Sequence, residues 1–267
     1  MRQTVTDQLK RNITIENRDA GIVSLVPSLT ELLFDLGLGD KVTGVTKFCT
    51  HPPQAKKQCK IIGGTKTPDP DAIRALHPGL IVANKEENNP ETVTALEKDF
   101  PVWVSDVTNL ESALEMIRQI STITGTDKSG LSLADEISNA FAGLPPSPPL
   151  RALYLIWKDP YMAAGADTFI SDMMKHAGFK NVIHENRYPE VGSKNLFPEV
   201  VLLSSEPYPF SEKHIEEVNS MYPEAVVVPV DGTYFSWYGS RMRYAPQYFT
   251  AVRKLITRRS GITGKAG

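Results

Sequence analysis

Four aromatic residues fall within five positions, Tyr234, Phe235, Trp237 and Tyr238, in the segment DGTYFSWYGSRMRY, and Arg241, Arg243 and Tyr244 follow. A polar, glycine-containing stretch has no core to fill. The cluster therefore predicts a surface for a large, flat ligand, with Arg241 placed to fix a carboxylate or phosphate group. The competing reading is that individual rings pack beneath their own loop. Trp157 and Tyr161 follow an apolar run and either extend the same wall or serve as core and turn residues.

A second group of reactive side chains lies in KFCTHPP, where Phe48, Cys49 and His51 follow an apolar run. Cys-x-His is a soft metal pair, and a lone imidazole can coordinate iron or cobalt already held in a chelate. Two neighbouring donors alone do not make a bare-ion site. Glu86 and Glu87 in ANKEEN and Glu206 in LLSSEPYPF sit after two further apolar runs, where a carboxylate either contacts ligand or caps the following helix. His77, His176 and His214 fall on or at the ends of predicted helices and read as capping or surface residues.

Catalytic signatures are missing. There is no GxGxxG after a strand, no GxxxxGK[ST], no HExxH and no GxSxG, and the GITGKAG ending lacks the glycine spacing of a phosphate loop. A dispersed catalytic triad stays open, because its members meet only in space. With 29 Lys+Arg against 31 Asp+Glu among 267 residues, the net charge of −2 gives no general attraction to nucleic acid or anionic lipid. The densest basic stretch, Arg253 to Arg259, reads as the solvated end of a last helix. Cys49 and Cys59 match neither a redox pair nor a zinc knuckle. No apolar run reaches the ~18 residues of a membrane span, and no signal-peptide core is visible.

These side chains must be held by elements whose signals alternate between strand and helix from Gly21 onward, which predicts an α/β fold with largely parallel sheets. Strands are expected at Ile22–Val26, Val42–Val45, Leu80–Ala83, Val102–Val104, Ala152–Trp157, Val200–Leu203 and Ala225–Val230. Ser28 with Glu31 predicts a capping box opening a helix that runs to Gly37. Asp69-Pro70 and Asn89-Pro90 predict two more helix starts. From Leu110 to Leu144 the pattern is wholly helical, and a proline-rich exit follows.

The second half repeats the first. LTELLFDLGLGDKV reappears as FISDMMKHAGFKNV, with Gly37 answering Gly178; HPGLIVANKE returns as FPEVVLLSSE, with Glu86 answering Glu206; and FPVWVSD returns as YPEAVVVPVD. The organisation expected is an amino-terminal α/β lobe at 1–124, a connecting helix and its exit at 125–149, and a carboxy-terminal α/β lobe at 150–267. Ligands in such sheets bind beyond the carboxyl ends of the strands, so a cleft between two such lobes is expected.

The combination VSLVPSLTELLFDLGLGDKVTGVT, PPQA, GGTKTPDPDAIRALHPGLIVANKEEN and FPVWVSD resembles the helical-backbone substrate-binding proteins of ABC importers. That family binds cobalamin, haem and iron siderophores. The resemblance spans about residues 20 to 256. It implies two Rossmann-like lobes joined by one long helix, from about Asp127 to Leu144, and a non-enzymatic receptor with no intrinsic cofactor. Its ligand would be a small-molecule metal chelate (cobalamin, haem or ferric siderophore), with Phe48 to His51 lining the site, His51 a possible axial ligand, and Trp237 near an arginine-bearing position. Its partners would be an ABC permease and the permease's ATPase, met through Asp71 and, in the second lobe, Glu190. The protein would be a monomer working outside the cytoplasmic membrane. The alternative, prompted by the missing leader and by Cys49 and His51, is a cytoplasmic tetrapyrrole- or metal-handling enzyme, chelatase-like, on a similar scaffold.

Overall fold

The computed structural model describes residues 2–192 and 194–260. The GITGKAG ending at 261–267 lies outside them. In chain order the elements are β1 (Gln3–Thr6), β2 (Asn12–Ile15), β3 (Ile22–Ser24), α1 (Pro27–Asp35), β4 (Val42–Val45), α2 (Ala55–Gln58), β5 (Lys60–Ile61), α3 (Pro70–Arg74), β6 (Leu80–Asn84), α4 (Pro90–Leu96), β7 (Val102–Ser105), α5 (Leu110–Thr124), α6 (Asp127–Ala142), β8 (Leu150–Trp157), β9 (Met162–Ala163), α7 (Phe169–His176), β10 (Phe179–Asn181), β11 (Val200–Ser204), α8 (Ile215–Met221), β12 (Val226–Val230), α9 (Thr233–Ser236) and α10 (Ala245–Ser260). The chain divides into two compact units. The first holds the residues up to Val107 with Glu111–Ser138 and Tyr238–Arg241, and the second holds Thr108–Leu110, Asn139–Trp237 and the residues from Met242 onward.

In the first unit a parallel sheet runs β5-β4-β3-β6-β7. Strands β3, β6 and β7 are buried on both faces, as the middle of a sheet covered on both sides requires. Val23, Ile81, Val102 and Val104 pack with Ile62, Ile73 and Leu96 in one buried cluster. A small antiparallel hairpin, β1–β2, precedes it. The hairpin closes on Asp7, a buried carboxylate that accepts from the backbone N–H groups of Leu9 and Arg11 and from the Arg11 guanidinium.

In the second unit the parallel order is β10-β8-β11-β12, with β9 antiparallel to β8. Leu153, Leu155, Val201, Leu203 and Val227 form its core with Phe210 and Val218. The order β4-β3-β6-β7 of the first unit is matched by β10-β8-β11-β12, so the repeat seen in sequence is a repeat of topology. Gly37 and Gly178, equivalent in that repeat, both end a helix at positive φ, +83° and +78°. Between the repeat-equivalent pairs Gly37/Gly178 and Pro78/Pro198 the second copy is shorter by about twenty residues, and it is there that the first carries α2, β5 and α3.

Two local expectations, both of helix caps, are corrected. Helix α1 starts one residue before the expected cap: Val26 is the N-cap without a side-chain bond and Pro27 fills the first helical position, whose missing N–H costs nothing there. The helical stretch from Leu110 to Leu144 divides at Gly125, φ +74°, which ends α5 before α6 begins at Asp127. Asn89 opens α4 but makes no side-chain cap; its Nδ2 donates to the Lys66 carbonyl instead. Asp69 does cap α3, accepting from the N–H groups of Asp71 and Ala72.

Candidate functional site

In the first unit the loops beyond the strand ends are fixed by buried amides. Asn84, the last residue of β6, accepts the N–H groups of Glu86 and Glu87 at 2.9 and 3.1 Å, while its Nδ2 donates to Ser105. Asn88 accepts the Asn84 N–H at 2.9 Å and donates to the carbonyls of Leu25 and Thr65. This double amide latch ties three strand-end loops together and sets the backbone of Glu86, which is half-buried, and of Glu87, which is exposed. Neither glutamate caps α4, whose N-cap Asn89 has no side-chain bond to the helix.

The loop after β4 divides its side chains sharply. Phe48 is 54% exposed, with the Lys47 ammonium 5.1 Å from its ring centroid. Cys49 is 1% exposed, its Sγ 3.2 Å from Thr30 Oγ1 and 3.6 Å from Thr46 Oγ1. Cys49 was expected to contact ligand, and its burial against α1 corrects that. His51 is half-buried and precedes a cis proline. Among the described residues no group of three or more His, Cys, Asp and Glu side chains could hold a metal ion.

Arg241 is also corrected. It belongs with the first unit, where Nε and Nη2 engage Glu31 Oε2 and Oε1 at 2.9 and 2.7 Å. The arginine expected to grip ligand is committed to the glutamate expected to cap a helix. Tyr238 is 6% exposed.

In the second unit, Trp157 ends β8 at 42% exposure, with the Tyr208 ring packed against its edge at 5.8 Å. Tyr208 rests on Phe210 at 4.7 Å, and Phe210 stacks on Tyr161. His214 braces the group from below: its Nδ1 accepts the Ser211 N–H at 3.0 Å, and its ring meets the Tyr208 and Phe210 rings edge-on. Tyr161 donates to Glu217 Oε1 at 2.6 Å, and Lys158 pairs with the same carboxylate. Burial first, then the bond to Glu217, pushes the Tyr161 phenol up, while Lys158 and Tyr161 hold Glu217 below the usual carboxylate range. Tyr208, Phe210 and Glu217 escaped the sequence reading; His214, read as a capping or surface residue, does cap through Ser211 but is buried. The run EPYPF was the available signal, since two prolines flanking an aromatic mark a rigid loop.

Beyond β11, Glu206 Oε1 accepts from Trp237 Nε1 at 2.9 Å and from Ser236 Oγ. Trp237 is only 9% exposed. Phe235 is fully buried, 4.8 Å from the Phe249 ring and 5.2 Å from Tyr154, so it is a core residue and not a ligand contact. The aromatic segment folds into α9 and the turn after it, and that is why its rings point inward where a loop was expected. Asp71 on α3 has a side chain 93% exposed and pairs with Arg74 at 3.0 Å. Glu190 is exposed and bridges Met162 through the backbone.

Residues 22–228 match the periplasmic binding protein family. The chain belongs to that family. Its members are substrate-binding transport proteins, not enzymes, and work with an ABC permease and an ATPase, so the chelatase-like alternative falls away. A vitamin B12-binding protein of Yersinia pestis (strain Pestoides F) is 23% identical over 251 residues, covering 90% of this chain and 86% of the relative. Two solved structures share the fold. The periplasmic vitamin B12 binding protein BtuF of Vibrio cholerae superposes with a TM-score of 0.76 at 21% identity, covering 89% of this chain and 97% of the other. The periplasmic haem-binding protein RhuT from Roseiflexus sp. RS-1 gives 0.75 at 20%, covering 91% and 99%. No helix among the described residues is long and apolar enough to cross a membrane.

Proposed function

We propose that this protein captures a metal chelate outside the cytoplasmic membrane and passes it, as a monomer, to an ABC permease. The observation that carries the reading is the braced aromatic ledge of Trp157 and Tyr208 at the carboxyl ends of β8 and β11, where open parallel sheets bind ligands. In the first unit, Phe48 and half-buried His51 are the corresponding strand-end contacts, with the His51 imidazole assigned as axial donor to a chelated metal. Rings of this kind bind the faces and edges of a flat macrocycle by area, and they select weakly for charge.

Among chelates, a corrinoid fits best. A polyanionic ferric siderophore calls for arginine, and Arg241 is already neutralised by Glu31. The vitamin B12-binding relatives support the same choice. Asp71, exposed on α3, and exposed Glu190 are assigned to the permease contact, where carboxylates would meet basic side chains. Titration with cyanocobalamin, haemin and a ferric siderophore, followed by ligand absorption and tryptophan emission, tests the assignment. Saturable change with the corrinoid is expected. No saturable change with any of the three overturns it.

A further inference from the structure

At the opposite end of the second unit's sheet lies a cavity of about 380 Å³. Leu144, Pro145 and Ser147, which precede β8, line it with Ala177, which precedes β10. It therefore sits at the amino ends of the strands whose carboxyl ends carry the aromatic ledge. Its size is at the lower end of the roughly 300–1,000 Å³ of small-molecule sites.

One face of α10 supplies the polar wall. Arg253, Lys254 and Arg258 follow Thr250 at helical spacing, while Phe249, Leu144 and Ala177 make an apolar floor. Among the described residues no Asp or Glu lines the cavity. Arg253 spends Nη1 and Nη2 on the carbonyls of Gly178 and Pro148, each at 3.0 Å, so no carboxylate neutralises it there. Burial lowers its pKa, and Glu199, which opposes that, is paired with Arg151. His176, also in the lining, faces Asp172 at 3.5 Å, and Asp172 in turn accepts the Leu110 N–H. Lys254 and Arg258 make no ion pair among the described residues. Being four apart on one helix, they repel each other.

Cations near a helix carboxyl end offset its dipole, and solvated lysines would suffice for that. Here three of them converge on a hollow with an oily floor and no counter-charge. We infer that this cavity binds an amphiphilic phosphate: a phosphate monoester whose charge is met by Lys254 and Arg258 beside Arg253 and whose apolar body lies on Phe249 and Leu144. The site is separate from the chelate loops and does not depend on what they bind.

Calorimetric titration of the full chain with hexyl phosphate tests the inference, with inorganic phosphate and hexanol as controls. Hexyl phosphate should saturate one site, weaken with added salt, and bind about tenfold or more tighter than inorganic phosphate. Lys254→Ala/Arg258→Ala, both exposed, should lose about tenfold or more while circular dichroism and cyanocobalamin titration stay unchanged. Sedimentation with phosphatidylglycerol vesicles separates the sources: retention that needs the same two residues assigns the headgroup to a bilayer lipid, and soluble binding alone assigns a free ester. Failure of hexyl phosphate to saturate, equal binding by hexanol, or undiminished binding by the double variant overturns the site.

Discussion

Arg241 and Glu31 lie 210 positions apart in the chain and meet as a fork, two parallel N–H···O bonds of 2.9 and 2.7 Å between side chains only 11% and 13% exposed. Removing either partner strands a nearly buried charge. Arg241→Ala or Glu31→Ala should each cost about 3–5 kcal/mol in urea unfolding, whereas the paired change Glu31→Leu/Arg241→Leu should recover most of that loss. A ligand-gripping arginine would give the reverse pattern: stability retained and affinity lost.

The aromatic ledge predicts a different signature. Trp157 is 42% exposed, so Trp157→Ala should weaken corrinoid capture by about tenfold or more while shifting the melting temperature little. Phe235→Ala, which empties a fully buried site, should instead cost about 3–5 kcal/mol of stability. His214→Ala removes the Nδ1 acceptor of the Ser211 N–H and the ring beneath Tyr208, and should cost ~1 kcal/mol together with part of the affinity. Thermal melts beside ligand titrations separate the three.

Strands and repeat were readable because their signals are local. The proline that precedes each of β6, β7, β11 and β12 and the glycines after α1 and α7 recur in order, and the buried strands are apolar runs. The hairpin β1–β2 was hidden by its threonines and asparagine, which leave little hydrophobic alternation. Side-chain partnerships were hidden for another reason. Glu31 obeys a capping pattern that Pro27 pre-empts, and Asn84 and Asn88 look like ordinary loop residues until their amides are seen to bind three strand ends. The aromatic segment after β12 was legible as a cluster, but not in which way its rings face.

The Tyr161–Glu217–Lys158 group predicts a titration. Burial and the bonded carboxylate raise the Tyr161 pKa, so the neutral phenol is favoured by folding. That contribution is complete below the ordinary tyrosine value near ~10 and is lost as pH rises through the folded value. Glu217 runs the other way. Its pKa is lowered by Lys158 first and Tyr161 second, so its share is present above the ordinary glutamate value and fades as pH falls through the folded one. In Glu217→Gln, phenolate absorbance should appear at lower pH than in the parent, since the bond to a carboxylate is gone and burial remains. An unchanged alkaline titration would dissolve the group.

The two repeat-equivalent glycines should respond unequally. A Cβ at Gly37, φ +83°, meets nothing within 4 Å, so Gly37→Ala should carry only the left-handed backbone cost of about 1–2 kcal/mol. At Gly178, φ +78°, the added carbon would come 2.6 Å from Ser147 Oγ, while the Arg253 guanidinium stays at an ordinary contact of 3.6 Å. Gly178→Ala should therefore lose more stability than Gly37→Ala and weaken hexyl phosphate binding, because Ser147, part of the cavity wall, must shift. Urea unfolding of both variants with calorimetry on the second checks the ordering. Equal losses would mean that Ser147 yields freely and that Gly178 serves its turn alone.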